Sequence, residues 1–134
     1  MVGRFALVGS VMFALVGIVG CGGAEELPTY PVTGKVSFSG MPVAEGEIVF
    51  EDATGLPPDA GKIANGEFSL RAKAGRKVVR IRASREVPGE QNAGIPGTPV
   101  RRDYIPAKYN TKSTLVEEVK ADAPNEFSFE LKET

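Results

Sequence analysis

The chain of 134 residues contains no histidine, no tryptophan and a single cysteine. Without histidine the commonest general base and metal ligand is missing. With it go the Ser-His-Asp and Cys-His nucleophile arrangements and the usual zinc and copper sites. The sole cysteine, Cys21, allows no intrachain disulfide, so stability has to come from a packed core. The formal net charge of −1 exerts no general pull on nucleic acid or any other polyion. The acidic pairs Glu25-Glu26, Glu51-Asp52 and Glu117-Glu118 are adjacent in sequence, so on a strand their side chains point to opposite faces instead of forming an acid–base pair. No phosphate-binding loop, calcium loop or dinucleotide-binding glycine motif occurs. The sequence therefore assigns no catalytic residue, no cofactor and no metal ligand, and the expected function is non-enzymatic.

What is present begins at the N-terminus. Arg4 precedes an uncharged, apolar stretch from Phe5 to Val19, followed by Gly20 and Cys21. A basic start, an apolar centre and a small residue before the cut are the parts of a secretion signal. Ile18-Val19-Gly20-Cys21 resembles the lipobox of bacterial lipoproteins, in which the cysteine thiol is acylated and becomes the mature N-terminus. Residues 1–20 are accordingly expected to be a lipoprotein signal peptide, Cys21 the lipidation site and residues 21–29 a tether. An uncut membrane helix is the competing reading, since about 20 apolar residues span a bilayer. Gly9, Gly17, Gly20, Gly22 and Gly23, with no aromatic or basic anchor after the apolar run, weigh against it. The expected location is extracytoplasmic and membrane-anchored. Gly22 stands where well-studied lipoproteins carry the Asp of inner-membrane retention, which points to the outer membrane.

From Tyr30 onward the pattern changes to period two, the signature of half-buried strands. Val32, Gly34, Val36 and Phe38 alternate with polar residues, and Glu47 to Glu51 follows after turn chemistry at Ser39-Gly40-Met41-Pro42. Asn65-Gly66 between Lys62-Ile63-Ala64 and Glu67 to Leu70 predicts a type I′ hairpin, because both residues accept positive φ. Arg76 to Ser84 places Val79, Ile81 and Ala83 on one face and Val78, Arg80 and Arg82 on the other. Leu115 to Val119 and Glu126 to Leu131 complete the strands, with Ala121 to Asn125 as their hairpin connection and Phe127, Phe129 and Leu131 facing in. Residues 85–103, rich in proline and glycine, are expected to form a long irregular loop, and a short turn is expected near Ala107 to Lys112. The fold class predicted is all-β, a seven-stranded antiparallel β-sandwich.

Several segments carry a family resemblance. Tyr30-Pro31-Val32-Thr33-Gly34-Lys35-Val36, the Gly40-Met41-Pro42-Val43 turn, Gly46-Glu47-Ile48-Val49-Phe50, Gly66-Glu67-Phe68 and Gly75 ahead of an alternating strand resemble the carboxypeptidase-regulatory-like, transthyretin-type domain. Ile105-Pro106-Ala107-Lys108-Tyr109-Asn110, Ser113-Thr114-Leu115 and Asn125-Glu126-Phe127 extend the similarity to small bacterial lipoproteins, over residues 30–132 in all. The resemblance implies a Greek-key sandwich serving as an accessory, spacer or binding module. Transthyretin-like hydroxyisourate hydrolases, the enzymatic branch, use histidines and a Tyr-Arg-Gly-Ser type ending. This chain has no histidine and ends Lys132-Glu133-Thr134, so the resemblance carries over no catalytic residue.

Binding is the remaining possibility. Arg71, Lys73, Arg76, Lys77, Arg80, Arg82 and Arg85 follow one another with no acidic residue between them. They form either a surface for an anionic glycan, lipid or envelope protein or a solvated strand face paired with Glu47 and Glu51. Arg101, Arg102 and Tyr104, at the exit of the proline-rich segment, are the other candidates for a partner surface together with Arg80 and Arg82. Tyr109 is expected to bury its ring and anchor its hydroxyl on backbone. Nucleic acid is not an expected partner, because no aromatic residues interleave the basic ones. The function expected is a structural or protein-interaction module held on a membrane by lipid on Cys21, the alternative being a module that binds an extracellular glycan or anionic ligand.

Overall fold

Alternating apolar and polar residues form strands wherever one face can be buried, and they do so through most of this chain. The computed structural model describes residues 26–133. It contains Thr29–Phe38 (β1), Met41–Pro42 (β2), Glu45–Asp52 (β3), Asp59–Ala64 (β4), Glu67–Lys73 (β5), Gly75–Gln91 (β6), Pro99–Asp103 (β7), Val116–Val119 (β8) and Asn125–Leu131 (β9), with a 3-10 turn at Ala107–Tyr109. The architecture is all-β, as expected, but with nine strands in place of seven. They run as one curled sheet in the order β2-β1-β5-β4-β3-β6-β7, with β8 also paired to β6 and β9 to β1.

The inner face holds the core. Val32, Val36, Ile48, Phe50, Ile63, Val79, Ile81, Val119 and Leu131 are almost fully buried, joined by Phe68 and Phe129. Phe50, Phe68, Phe127 and Phe129 form a chain of ring contacts with centroids 6.0 to 6.3 Å apart. Such pairs contribute about 0.5–1.5 kcal/mol each beyond area burial. The Asn65-Gly66 hairpin is present as predicted, with φ of 51° and 75° at the two turn residues. Only two residue pairs ladder β4 to β5, whereas β3 and β4 pair over six positions from Glu45 to Phe50. β4 and β5 nevertheless stay side by side to their far ends, where the Lys73 N–H donates to Asp59 Oδ2 at 2.9 Å.

Three expectations need correction. Residues 85–103 are not an irregular loop. β6 runs through to Gln91 and pairs with β7, so only 92–98 is non-strand, and the two strands project as a ribbon beyond the body of the sheet. Proline and glycine are tolerated because the ladder is already irregular there. The register shifts between Glu86 and Gln91, Gly89 takes φ of 81°, and Pro99 opens its strand, where a missing N–H costs least. Second, residues 121–125 are not a hairpin connection. β8 pairs antiparallel with β6, opposing Glu117 to Lys77 and Glu118 to Arg76, while β9 crosses the core and pairs parallel with β1. The Asn125 side chain bridges the N–H and C=O of Lys120 at 2.8 and 2.9 Å and turns the chain there. Third, the parallel β1–β9 pair departs from the purely antiparallel arrangement expected. Phe127 faces inward but is only half-buried, while Phe129 and Leu131 are buried.

Gly34 sits where β1 is squeezed from both edges, opposite Phe68 on β5 and Phe127 on β9. A Cβ at this position would lie 2.6 Å from Phe68 Cζ and closer still to the Phe127 carbonyl oxygen. Gly34→Ala is expected to lower unfolding free energy by about 1–3 kcal/mol through overpacking. The check is the urea midpoint at unchanged denaturant slope; a midpoint equal to wild type would show that β9 can move away without loss.

Candidate functional site

The basic segment resolves into two faces once β6 is placed. Lys77 shares the inward face with Val79, Ile81 and Ala83, and its side chain is 0% exposed. Its Nζ donates to Asp52 Oδ2 at 2.7 Å from the directly opposed position on β3. An isolated ammonium in such a place would be strongly disfavoured, so the pairing is what allows a lysine on a core face. Asp52 also accepts from the Thr54 N–H at 2.7 Å and from the Thr54 hydroxyl. Donation by Lys77, followed by that of Thr54, holds the Asp52 carboxyl well below the usual carboxylate range.

Of the outward residues, Arg80, Arg82 and Arg71 are engaged within the chain. Arg80 Nε donates to Glu51 Oε2 at 2.6 Å and its Nη1 donates to the Asn110 carbonyl. Arg82 lies 3.6 Å from Asp103. Arg71 donates to the hydroxyl and carbonyl of Thr29, and Lys73 Nζ to Asp59 at 2.7 Å. Of the two acids expected opposite this strand, Glu51 takes Arg80, while Glu47 faces Arg82 in register without an ion pair between them.

The arginines of β7 behave alike. Arg101 donates to the Ser84 hydroxyl and carbonyl at 3.2 and 3.1 Å and reaches Glu45 at 3.3 Å and Glu86 at 3.5 Å. Arg102, on the opposite face of the ribbon, donates to Glu90 at 2.9 Å. Tyr104 is half-buried, edge-on to Phe38 at 5.5 Å and beneath the Arg85 guanidinium at 5.2 Å. Burial raises its pKa despite that cation. The fold brings Arg82 and Arg101 together over a groove of about 430 Å³ that also contains Glu45, Glu47 and Asp103. Arg80 is instead held beside the 3-10 turn, and Arg102 and Tyr104 stand apart from that groove. Cys21 lies outside the described residues.

Tyr109 accepts the Lys132 N–H on its hydroxyl at 3.0 Å. This bond lowers its pKa against the opposing effect of burial, aided by the nearby Lys108 ammonium. Among the described residues there is no cluster of three acidic, histidine or cysteine side chains suited to a metal ion. No described helix is long and apolar enough to cross a membrane.

A groove of about 840 Å³ runs over the outer face of β9, β1, β5 and β4, lined by Thr33, Lys35, Lys62, Glu67, Ser69, Glu126 and Ser128 with Gly34 in its floor. Its walls come from opposite ends of the chain and meet only through the parallel β1–β9 pairing, which alternation within single strands does not reveal.

The Lys77–Asp52 pair predicts a pH dependence. Asp52 is more acidic folded than unfolded, so its stabilisation is complete above the ordinary value of about 3.9 and is lost as pH falls below it. The wild-type urea midpoint is expected to drop between about pH 5 and pH 2, and Lys77→Met to lower the midpoint at neutral pH while flattening that dependence. An unchanged slope in the variant would show that Thr54 alone sets the acidity of Asp52.

No family model and no curated protein matches this chain. Among solved structures, a 9R-lipoxygenase from Cyanothece PCC8801 overlaps 82% of it at 17% identity and a TM-score of 0.38. The chain spans 18% of that protein's length, and a likeness of this size carries no argument about fold or activity.

Proposed function

We propose that this protein is a non-enzymatic, lipid-anchored protein of the cell envelope whose β domain acts as a structural or protein-interaction module. The observation that carries the reading is the order of parts along the chain. An uncharged apolar segment ends at Ile18-Val19-Gly20-Cys21, and the first strand begins at Thr29, leaving only a short polar tether between lipid and domain. With acyl chains on Cys21, each buried methylene adds about 0.8 kcal/mol of membrane affinity, and two or more chains make the anchor lasting. We also read the curled sheet as a transthyretin-type sandwich, supported by the break in the β4–β5 ladder after two residue pairs, where one layer would turn into the other.

The alternative of an anionic or glycan ligand on the arginines has less support than an interaction role. Arg80, Arg82, Arg101 and Arg102 each face an intrachain carboxylate, so a ligand would have to displace partners already in place. Metabolic labelling with an alkyne fatty acid tests the anchor. Wild-type protein is expected to carry label and to sediment with membranes, and Cys21→Ser to lose the label and keep its uncut N-terminal segment. Unlabelled wild-type protein, or a mature N-terminus at another residue, would overturn the reading.

A further inference from the structure

Strand β9 is the outermost strand beside β1, and its backbone groups point alternately to the two sides. Leu131 gives its carbonyl to the Ser39 N–H, which directs the odd-numbered residues of β9 toward β1. The N–H and C=O of Glu126, Ser128 and Glu130 therefore point to the open edge, where no described strand pairs with them. That edge is bounded at both ends. At its start the Asn125 carboxamide holds Lys120, and just past its end the Lys132 N–H donates to the Tyr109 hydroxyl. Between these ties lies a window of about five residues, roughly 17 Å of strand at ~3.4 Å per residue. Phe127, on the inner face of the window, is the one member of the phenylalanine chain left half-buried.

The side chains beside the window select what can fill it. Glu126, Ser128 and Glu130 are all exposed on the outer face. A second copy pairing antiparallel about Ser128 would set Glu126 against Glu130 of its mate, and like charges directly opposed across strands are destabilising. The same two carboxylates favour a strand that carries basic residues at the facing positions, with apolar residues between them to cover Phe127. We propose that the open edge of β9 is a β-augmentation site for an extended peptide segment of a partner protein in which basic and apolar residues alternate. The proposal rests on the interaction-module reading and supplies the surface and the kind of partner for it. Main-chain bonds to Glu126, Ser128 and Glu130 give the affinity, and the two glutamates set the sign of the partner's charge.

The test uses the full chain in detergent and two capped synthetic pentapeptides, one alternating valine with lysine and the other alternating valine with glutamate. Amide hydrogen exchange at Glu126, Ser128 and Glu130 is the readout. The lysine peptide is expected to slow exchange at these amides by about tenfold or more at saturation, with the glutamate peptide without effect. In the double variant Glu126→Lys, Glu130→Lys the preference should reverse. Ser128→Pro provides a second arm. It removes only an edge-facing N–H, which an edge strand tolerates, so it should keep the wild-type melting temperature and lose the protection. Protection by neither peptide, equal protection by both, or protection that survives Ser128→Pro overturns the proposal. The anchor is read separately from the label on Cys21, so either conclusion can fail alone.

Discussion

The fold turns on a missing side chain. At Gly34 the ring of Phe68 and the backbone of Phe127 both press against β1, one from each neighbouring strand. Any Cβ would force these neighbours apart. Because none is there, β9 can lie parallel and close to β1, bring Phe127 and Phe129 over the core, and join the far end of the chain to its first strand. Parallel pairing of strands so distant in sequence carries a high loop-closure cost. The contacts that repay it are those of the phenylalanine chain from Phe50 to Phe129. Only the outer groove and the open edge of β9 are left as consequences of that closure without a structural use of their own.

Charge in this protein is arranged for neighbours more than for solvent. β6 is unusually basic, yet its cations are divided between two faces, and Lys77, Arg80 and Arg82 are met by acids on adjacent strands: Asp52 and Glu51 on β3, and Asp103 on β7. Lys77 is the extreme case, a lysine on a core face that is compatible with folding only because a carboxylate stands directly opposite. The exposed pairs of the ribbon, such as Arg102–Glu90, contribute little singly, roughly 0–1 kcal/mol. They do favour one register in a ribbon that has no core beneath it.

Much of the strand pattern was legible from residue order, because period-two alternation depends on burial of one face and little else. Asn65-Gly66 declared its turn through two positive φ angles that other residue pairs accept poorly. The proline-rich ribbon was not legible: Pro88, Gly89 and Pro99 normally end strands, and they persist here through a register shift that local composition does not encode. Nor was the fate of β8 and β9. Both carry the alternation of a hairpin pair, and their separation onto different neighbours follows from contacts with Lys77 and Gly34 far away in sequence. Of the arginines singled out as a surface, the strand face and the Glu51 partner of Arg80 were readable, but Glu45, Glu90 and Asp103 were not, since they are brought in by register. Lys77 could have been found: it has the parity of Val79 and Ile81, and a charged residue in an apolar row asks for a partner.

Strand β6 has a mechanical meaning as well. It starts beside the first residues of β1, through the pairing of Thr29 with Lys73, and runs 17 residues toward the tip of the ribbon, about 55 Å at ~3.3 Å per residue. A force drawing the ribbon tip away from residue 29 would run along the strands and not across them. The hydrogen bonds between β6 and β3 would then bear the load together, in shear, and could not open one at a time as in unzipping. A domain strung in that direction is stiff along its length, and it would transmit tension between its two ends before it yielded.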